Sequence, residues 1–272
     1  MIAVQLFAWA VPAYFKGSVV DHTWVTTYDN RLNFYNSVAD VVAAGEHYWF
    51  SWGIYRSAGA TPVIPDGFLA AQSGDVPYAR CLCKPDVDSG LDHAARGTVF
   101  RYGRDGVCHQ LANQILWATA LAAPRPATVR KARGYWVSNA LFGPYGTRHT
   151  AWAMKKRSCS NLSGDDVMSP DVDDFQQHLR SVLTGQQAEK KIQALMRRRS
   201  AFMERVERMQ ALPDERAPSA SQLNEMYSSF LREAAHILGD HDFELVFGES
   251  PQEEMNIVDP AIYEAESMHA RS

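Results

Sequence analysis

Gly-Arg-Asp-Gly-Val-Cys-His-Gln-Leu-Ala-Asn-Gln-Ile-Leu-Trp, residues 103–117, joins a glycine-flanked loop to an apolar-periodic run. Leu111, Ala112, Ile115 and Leu116 follow Cys108 at three, four, seven and eight positions, so the thiol belongs to the buried stripe of a helix. Asp105 reads as the N-cap, which places Cys108 at the third helical position. Unpaired backbone N–H groups and the positive end of the helix dipole favour a thiolate there. Cys108 is thus a candidate nucleophile. Inert burial is the competing reading, because free cysteine packs like a small hydrophobe.

The chain has 272 residues, enough for one large domain or a medium one with an appendage. Hydrophobic residues make up 46% and charged residues 21%, the balance of an ordinary globular protein. A net charge of −4 and a pI near 6.1 give no reason to expect a nucleic-acid partner. The charge is uneven. Residues 213–272 hold thirteen Asp/Glu against three Lys/Arg, whereas seven basic residues lie between Lys190 and Arg208. The basic run reads as a solvated helix face, or as a docking surface for an acidic partner or the chain's own acidic tail. Four cysteines do not make a disulfide scaffold. The apolar start, Ile2 to Val11, lacks a basic leader and reads as a first core strand rather than a signal peptide. No apolar stretch reaches the length of a membrane span. The expected location is the cytoplasm by default, with signal-independent export left open.

Residues 3–10 and 21–28 read as strands, 31–44 as a helix and 46–55 as an aromatic strand. Residues 56–97 are rich in Pro and Gly and read as loop. The Cys108 helix should run to about residue 121, followed by strands over 127–141 and 148–156. Near Ser160 the texture turns to linker. A long helical pattern over 172–211, broken at Gly185, then leads through a loop at Pro213–Pro218. Ser219 or Ser221 should cap a helix ending near Leu238, and an acidic tail with scattered apolar residues closes the chain. The expected class is α+β, with a catalytic region over 1–160 and a helical region over 161–272.

A thiol nucleophile needs a base, and the base usually needs an orienting partner. Alternation on the second strand puts His22 on one face with Trp24, Thr26 and Tyr28. His47 opens the next strand, on the face of Trp49, Ser51 and Tyr55, and His93 lies in loop. His109 adjoins Cys108 but projects about 100° away around the helix, a poor direction for a base. Tyr102, six residues before the cysteine, could bring a hydroxyl to the oxyanion position alongside the Cys108 backbone N–H. Each has a plain structural reading as well: a strand histidine bonded to a carbonyl, or a packing tyrosine.

A helix-start cysteine, a strand histidine and a tyrosine six residues before the cysteine together resemble the papain-like fold. The match is to the NlpC/P60 superfamily, and because His22 precedes Cys108 the order resembles its circularly permuted branch. The resemblance covers roughly residues 1–160. It implies an antiparallel sheet with a packed nucleophile helix, Cys108 as nucleophile, His22 as base, His47 as orienting residue and Tyr102 as oxyanion donor. The Asp-Cys-Ser run common around the NlpC/P60 nucleophile is replaced here by Val107-Cys108-His109, and Glu46, Ser51 and Asp29 rival His47.

Cys81-Leu-Cys83 with His93 invites a zinc reading, with Cys159, His109 or His149 as the fourth ligand. A one-residue gap falls outside the usual Cys-x₂₋₄-Cys spacing, so no metal and no cofactor are expected. A Gly-rich phosphate cradle, Gly-x-Ser-x-Gly and His-Glu-x-x-His do not occur. The expected function is a cysteine-dependent amide or peptide hydrolase working through an acyl-thioester, with peptidoglycan peptides among the substrates the resemblance implies. Acyl transfer by the same thiol and a non-enzymatic interaction module, recruiting a protein through the C-terminal helices, are the competing functions.

Overall fold

The computed structural model describes residues 3–26, 49–50, 60–64, 69–72, 101–119, 127–147 and 174–269. The architecture is α+β. Strand β1 (Ala3–Pro12) is the centre of the sheet, with β2 (Asp21–Thr26) antiparallel on one side. β3 (Trp49–Phe50) pairs with β2, β4 (Thr61–Pro62) pairs with β1 on the other side, and β5 (Leu69–Gln72) pairs antiparallel with the Ala3–Leu6 end of β1. From Leu6 to Val11 every β1 side chain is buried, the signature of a strand covered on both faces. In register, Val11 faces His22, Trp9 faces Trp24 and Phe7 faces Thr26. The Trp9 indole N–H donates to the Thr26 hydroxyl at 2.8 Å, so the one polar atom of that large ring is satisfied inside the core.

Helix α1 (Cys108–Thr119) packs on β2 and buries not a stripe but its whole circumference as far as Trp117. Its apolar side meets the sheet. Its polar side is a ladder onto the 143–145 backbone: Gln110 donates to the Gly143 carbonyl, Asn113 to that of Pro144 and Gln114 to that of Tyr145. Buried amides so paired cost nothing in lost hydrogen bonds and fix the helix in one rotation.

Residues 135–142, expected as strand, form helix α2 (Tyr135–Phe142). Seven of its eight residues are buried, so neither a period of 2 nor one of 3.6 is visible in their hydropathy. β4 and β5 likewise lie within a stretch expected as loop, being too short for an alternation to register. The helical half follows as α3 (Asp174–Val182), α4 (Ala188–Gln210), α5 (Ala220–Leu238), α6 (Asp240–Phe247) and α7 (Pro260–His269). Gly185, at φ +90°, separates α3 from α4 as its backbone freedom suggested. Ser219 caps α5 in a full capping box with Gln222. Of the seven residues of the basic run, Lys190, Arg197, Arg205 and Arg208 are exposed, while three are half-buried and tied to the fold. Arg198 pairs with Glu233, Lys191 with Asp242 at 2.6 Å, and Arg199 donates to the Ala140 carbonyl. One contiguous apolar cluster runs from Leu6 in the sheet to Tyr263 in α7. Among the described residues no helix is long and apolar enough to cross a membrane. The expected helix over 31–44, strand over 148–156 and linker near Ser160 lie outside the described residues.

Candidate functional site

Cys108 is the first residue of α1, not its third. Val107 takes the N-cap place: its carbonyl accepts from the N–H groups of Gln110 (3.0 Å) and Leu111 (3.2 Å). Valine offers no capping oxygen. Instead the Gln110 side chain reaches back to accept the Val107 N–H at 3.0 Å, the reciprocal half of a capping box. Asp105 does not cap because its carboxylate is already held by the Arg101 backbone N–H and guanidinium, at 2.9 and 3.0 Å. Together these bonds tighten residues 101–106 into a turn that delivers Cys108 at the helix mouth, where backbone donors and the dipole favour developing negative charge.

His22 Nδ1 lies 3.0 Å from Cys108 Sγ. These groups are 86 residues apart in the chain and meet because α1 packs across β2. The imidazole stacks on Trp24, with centroids 5.5 Å apart and planes 23° apart, as expected for neighbours on one strand face. Burial, reinforced by the nearby His109, pushes the His22 pKa down to about 3. The ring is therefore neutral near pH 7; where Cys108 is a thiol, its S–H donates to Nδ1 and Nε2 carries the ring proton. The neutral ring has an acceptor in place for the S–H, but the burial that lowers its pKa also makes it a weak base while the cavity is closed; solvent reaching the ring restores its basicity.

His109 points elsewhere: its Nδ1 lies 2.8 Å from the Ser138 hydroxyl in α2, and burial takes its pKa to about 3 as well. Tyr102 does share the Cys108–His22 cavity, and its phenol oxygen accepts the Asp259 backbone N–H at 3.0 Å. Ala13, Phe15 and Val20 form one wall and Ile257, Asp259 and Ile262 another. The interior measures about 10 Å³, close to the size of a single water. Cys108 is 5% exposed and His22 2%, so a carbonyl compound larger than a few atoms enters only when these walls part.

The structure thus brings together Cys108, His22 and Tyr102, while His47, Asp29, Glu46 and Ser51 lie outside the described residues. So do Cys81, Cys83, His93, His149 and Cys159. Among the described residues no group of three or more His, Cys, Asp or Glu is arranged to hold a metal ion.

The sequence reading missed two contributors. The strap of residues 255–259 supplies a cavity wall, and Asp259-Pro260, a capping residue before a helix-starting proline, was the available signal for the helix it leads into. Arg133, which grips the chain just before His22, had none. Comparisons of the chain with protein-family models, characterised proteins and solved structures return no match.

Proposed function

We propose that the chain is a cysteine-dependent amide or peptide hydrolase, built on a papain-like plan resembling the circularly permuted NlpC/P60 branch. One observation carries the reading: the 3.0 Å contact between a helix-start thiol and a buried, neutral strand imidazole. An antiparallel sheet with the cysteine helix packed on the histidine strand supports the papain-like plan. In the reaction, His22 Nδ1 takes the thiol proton as Sγ bonds to the substrate carbonyl carbon. Donors assigned to the oxyanion are the Cys108 backbone N–H and the Tyr102 hydroxyl. Collapse breaks the C–N bond, and the proton on His22 leaves with the amine. Water, deprotonated by His22, then cleaves the acyl-thioester and restores the thiol. The apolar walls at Phe15, Val20, Ile257 and Ile262 suit a slender acyl group of low polarity.

The test is hydrolysis of short acyl-peptide amides, peptidoglycan stem peptides included, followed by mass spectrometry for an acyl adduct on Cys108. Cys108→Ala is expected to abolish turnover and adduct, and His22→Ala to slow turnover by about 10²–10⁴-fold. Full activity in Cys108→Ala removes the nucleophile. An unreactive thiol in the wild-type chain favours the interaction module instead.

A further inference from the structure

The short segment Arg133–Ser138 holds the chain next to both partners of the Cys108–His22 pair. On the histidine side, Arg133 clamps the chain leading into β2. Its guanidinium donates to the carbonyls of Ser18 (3.2 Å) and Val20 (3.1 Å) and reaches the Asp21 carboxylate at 3.4 Å. Its backbone N–H donates to that same carboxylate at 3.0 Å, and its carbonyl accepts the Asp21 N–H at 2.9 Å. Gly134, at φ +69°, lets this happen: a Cβ there would sit 2.1 Å from the Val19 carbonyl oxygen. On the cysteine side, Ser138 meets His109 at 2.8 Å and Gln110 at 3.3 Å, the two residues that follow Cys108.

The pairing through Nδ1 makes this clamp matter. Nδ1 is bonded directly to Cγ, so its position is set by the backbone and two torsions, with little reach in the ring to absorb an error. A shift of the strand start is transmitted almost whole to the N–S distance, and misplacement by 1 Å in a reacting pair costs on the order of 10²-fold in rate. The clamp is charged as well as geometric, because Arg133 also faces Glu249 at 3.4 Å and raises the energy of a proton on His109. Charged and titratable groups around the His22 end of the strand are Asp21, Arg133, Glu249 and His109, together with Cys108, Tyr102 and Asp259, which line the cavity beside the ring.

We propose that Arg133 is the positioning residue of the site, holding residues 18–21 so that the His22 imidazole meets the Cys108 sulfur. This rests on the reading of His22 as the base. Arg133 touches neither sulfur nor substrate; it acts through His22.

The experiment follows alkylation of Cys108 in the full chain by iodoacetamide, read by mass spectrometry from pH 4 to 9. Wild type is compared with His22→Ala, Arg133→Ala and Arg133→Lys, with circular dichroism confirming that each is folded. His22→Ala is expected to lose the neutral-pH reactivity and follow a simple thiol titration. Arg133→Ala should react about ten- to a hundredfold more slowly at pH 7, with its profile displaced toward that of His22→Ala. Added guanidinium should restore part of the rate. Arg133→Lys, which keeps the charge and the backbone bonds but not the fork, should fall between and carries the test if the alanine variant does not fold. Folded Arg133 variants that label at the wild-type rate or faster, with the wild-type pH profile, overturn the positioning proposal and leave the base intact. A wild-type profile in His22→Ala overturns the base, and the proposal with it.

Discussion

Two imidazoles, His22 and His109, are held neutral inside the fold with pKa values of about 3, against 6.5 for the free side chain. Between those limits the unfolded chain binds protons that the folded chain refuses, so stability rises with pH through that window. Their contribution is whole above about pH 6.5 and is lost as pH falls toward 3. Urea midpoints at pH 7, 5.5 and 4.5 should drop steadily, and His109→Asn should flatten the slope. A midpoint constant from pH 7 to 4.5 contradicts the buried neutral state. The residues themselves were legible to different degrees. Cys108 and His22 stood out because helix and strand periods each named a face. Tyr102 was found through its spacing from the cysteine, while its bond to the Asp259 N–H depends on a strap whose position no local pattern encodes.

At the level of elements, the strap over residues 255–259 is held by side chains and a single backbone bridge. Asn224 of α5 accepts the N–H groups of Ile257 and Val258 and donates to the Val258 carbonyl. Ser228 exchanges two bonds with Met255, and Asn256 pairs by its backbone with Gly17 and Val19 across the cavity mouth. Asn224→Ala breaks three buried bonds, each worth about 1 kcal/mol, and should lower stability by about 2–3 kcal/mol. It should also quicken Cys108 alkylation, since one wall is loosened. Slower or unchanged labelling means the strap does not govern access. Elements with a strong period or a cap were readable in advance: β1, α4 and α5 lie close to where pattern put them. α2 was not, because a helix buried all round has no polar face to betray its period. α1 was found but began late, since Asp105, a good cap by type, is taken by Arg101.

Across the whole molecule, the turn before Cys108 is the junction on which the helical half closes. Arg104 is buried and donates to the carbonyls of Met209 and Leu212 and to the Asp214 carboxylate at 2.6 Å. Tyr227 donates to the Gly103 carbonyl at 2.6 Å and Gln210 to that of Arg104 at 3.1 Å. Arg104→Met keeps the apolar stem but strands these acceptors, and should cost about 2–4 kcal/mol. The loss should fall on both halves together, as one cooperative transition by tryptophan fluorescence and by circular dichroism. Two separate transitions would show that the halves do not share this junction. None of these long-range bonds is visible in sequence, since each joins positions about a hundred residues apart. The same remoteness has an effect in time. The wall made by Ile257, Asp259 and Ile262 leaves a ribosome about 150 residues after Cys108. At about 5–20 residues per second, Cys108 waits roughly 8–30 s for it. A nascent chain therefore carries an open thiol that the finished protein encloses, and oxidants or electrophiles in the cell should mark this sulfur during synthesis far more readily than afterwards.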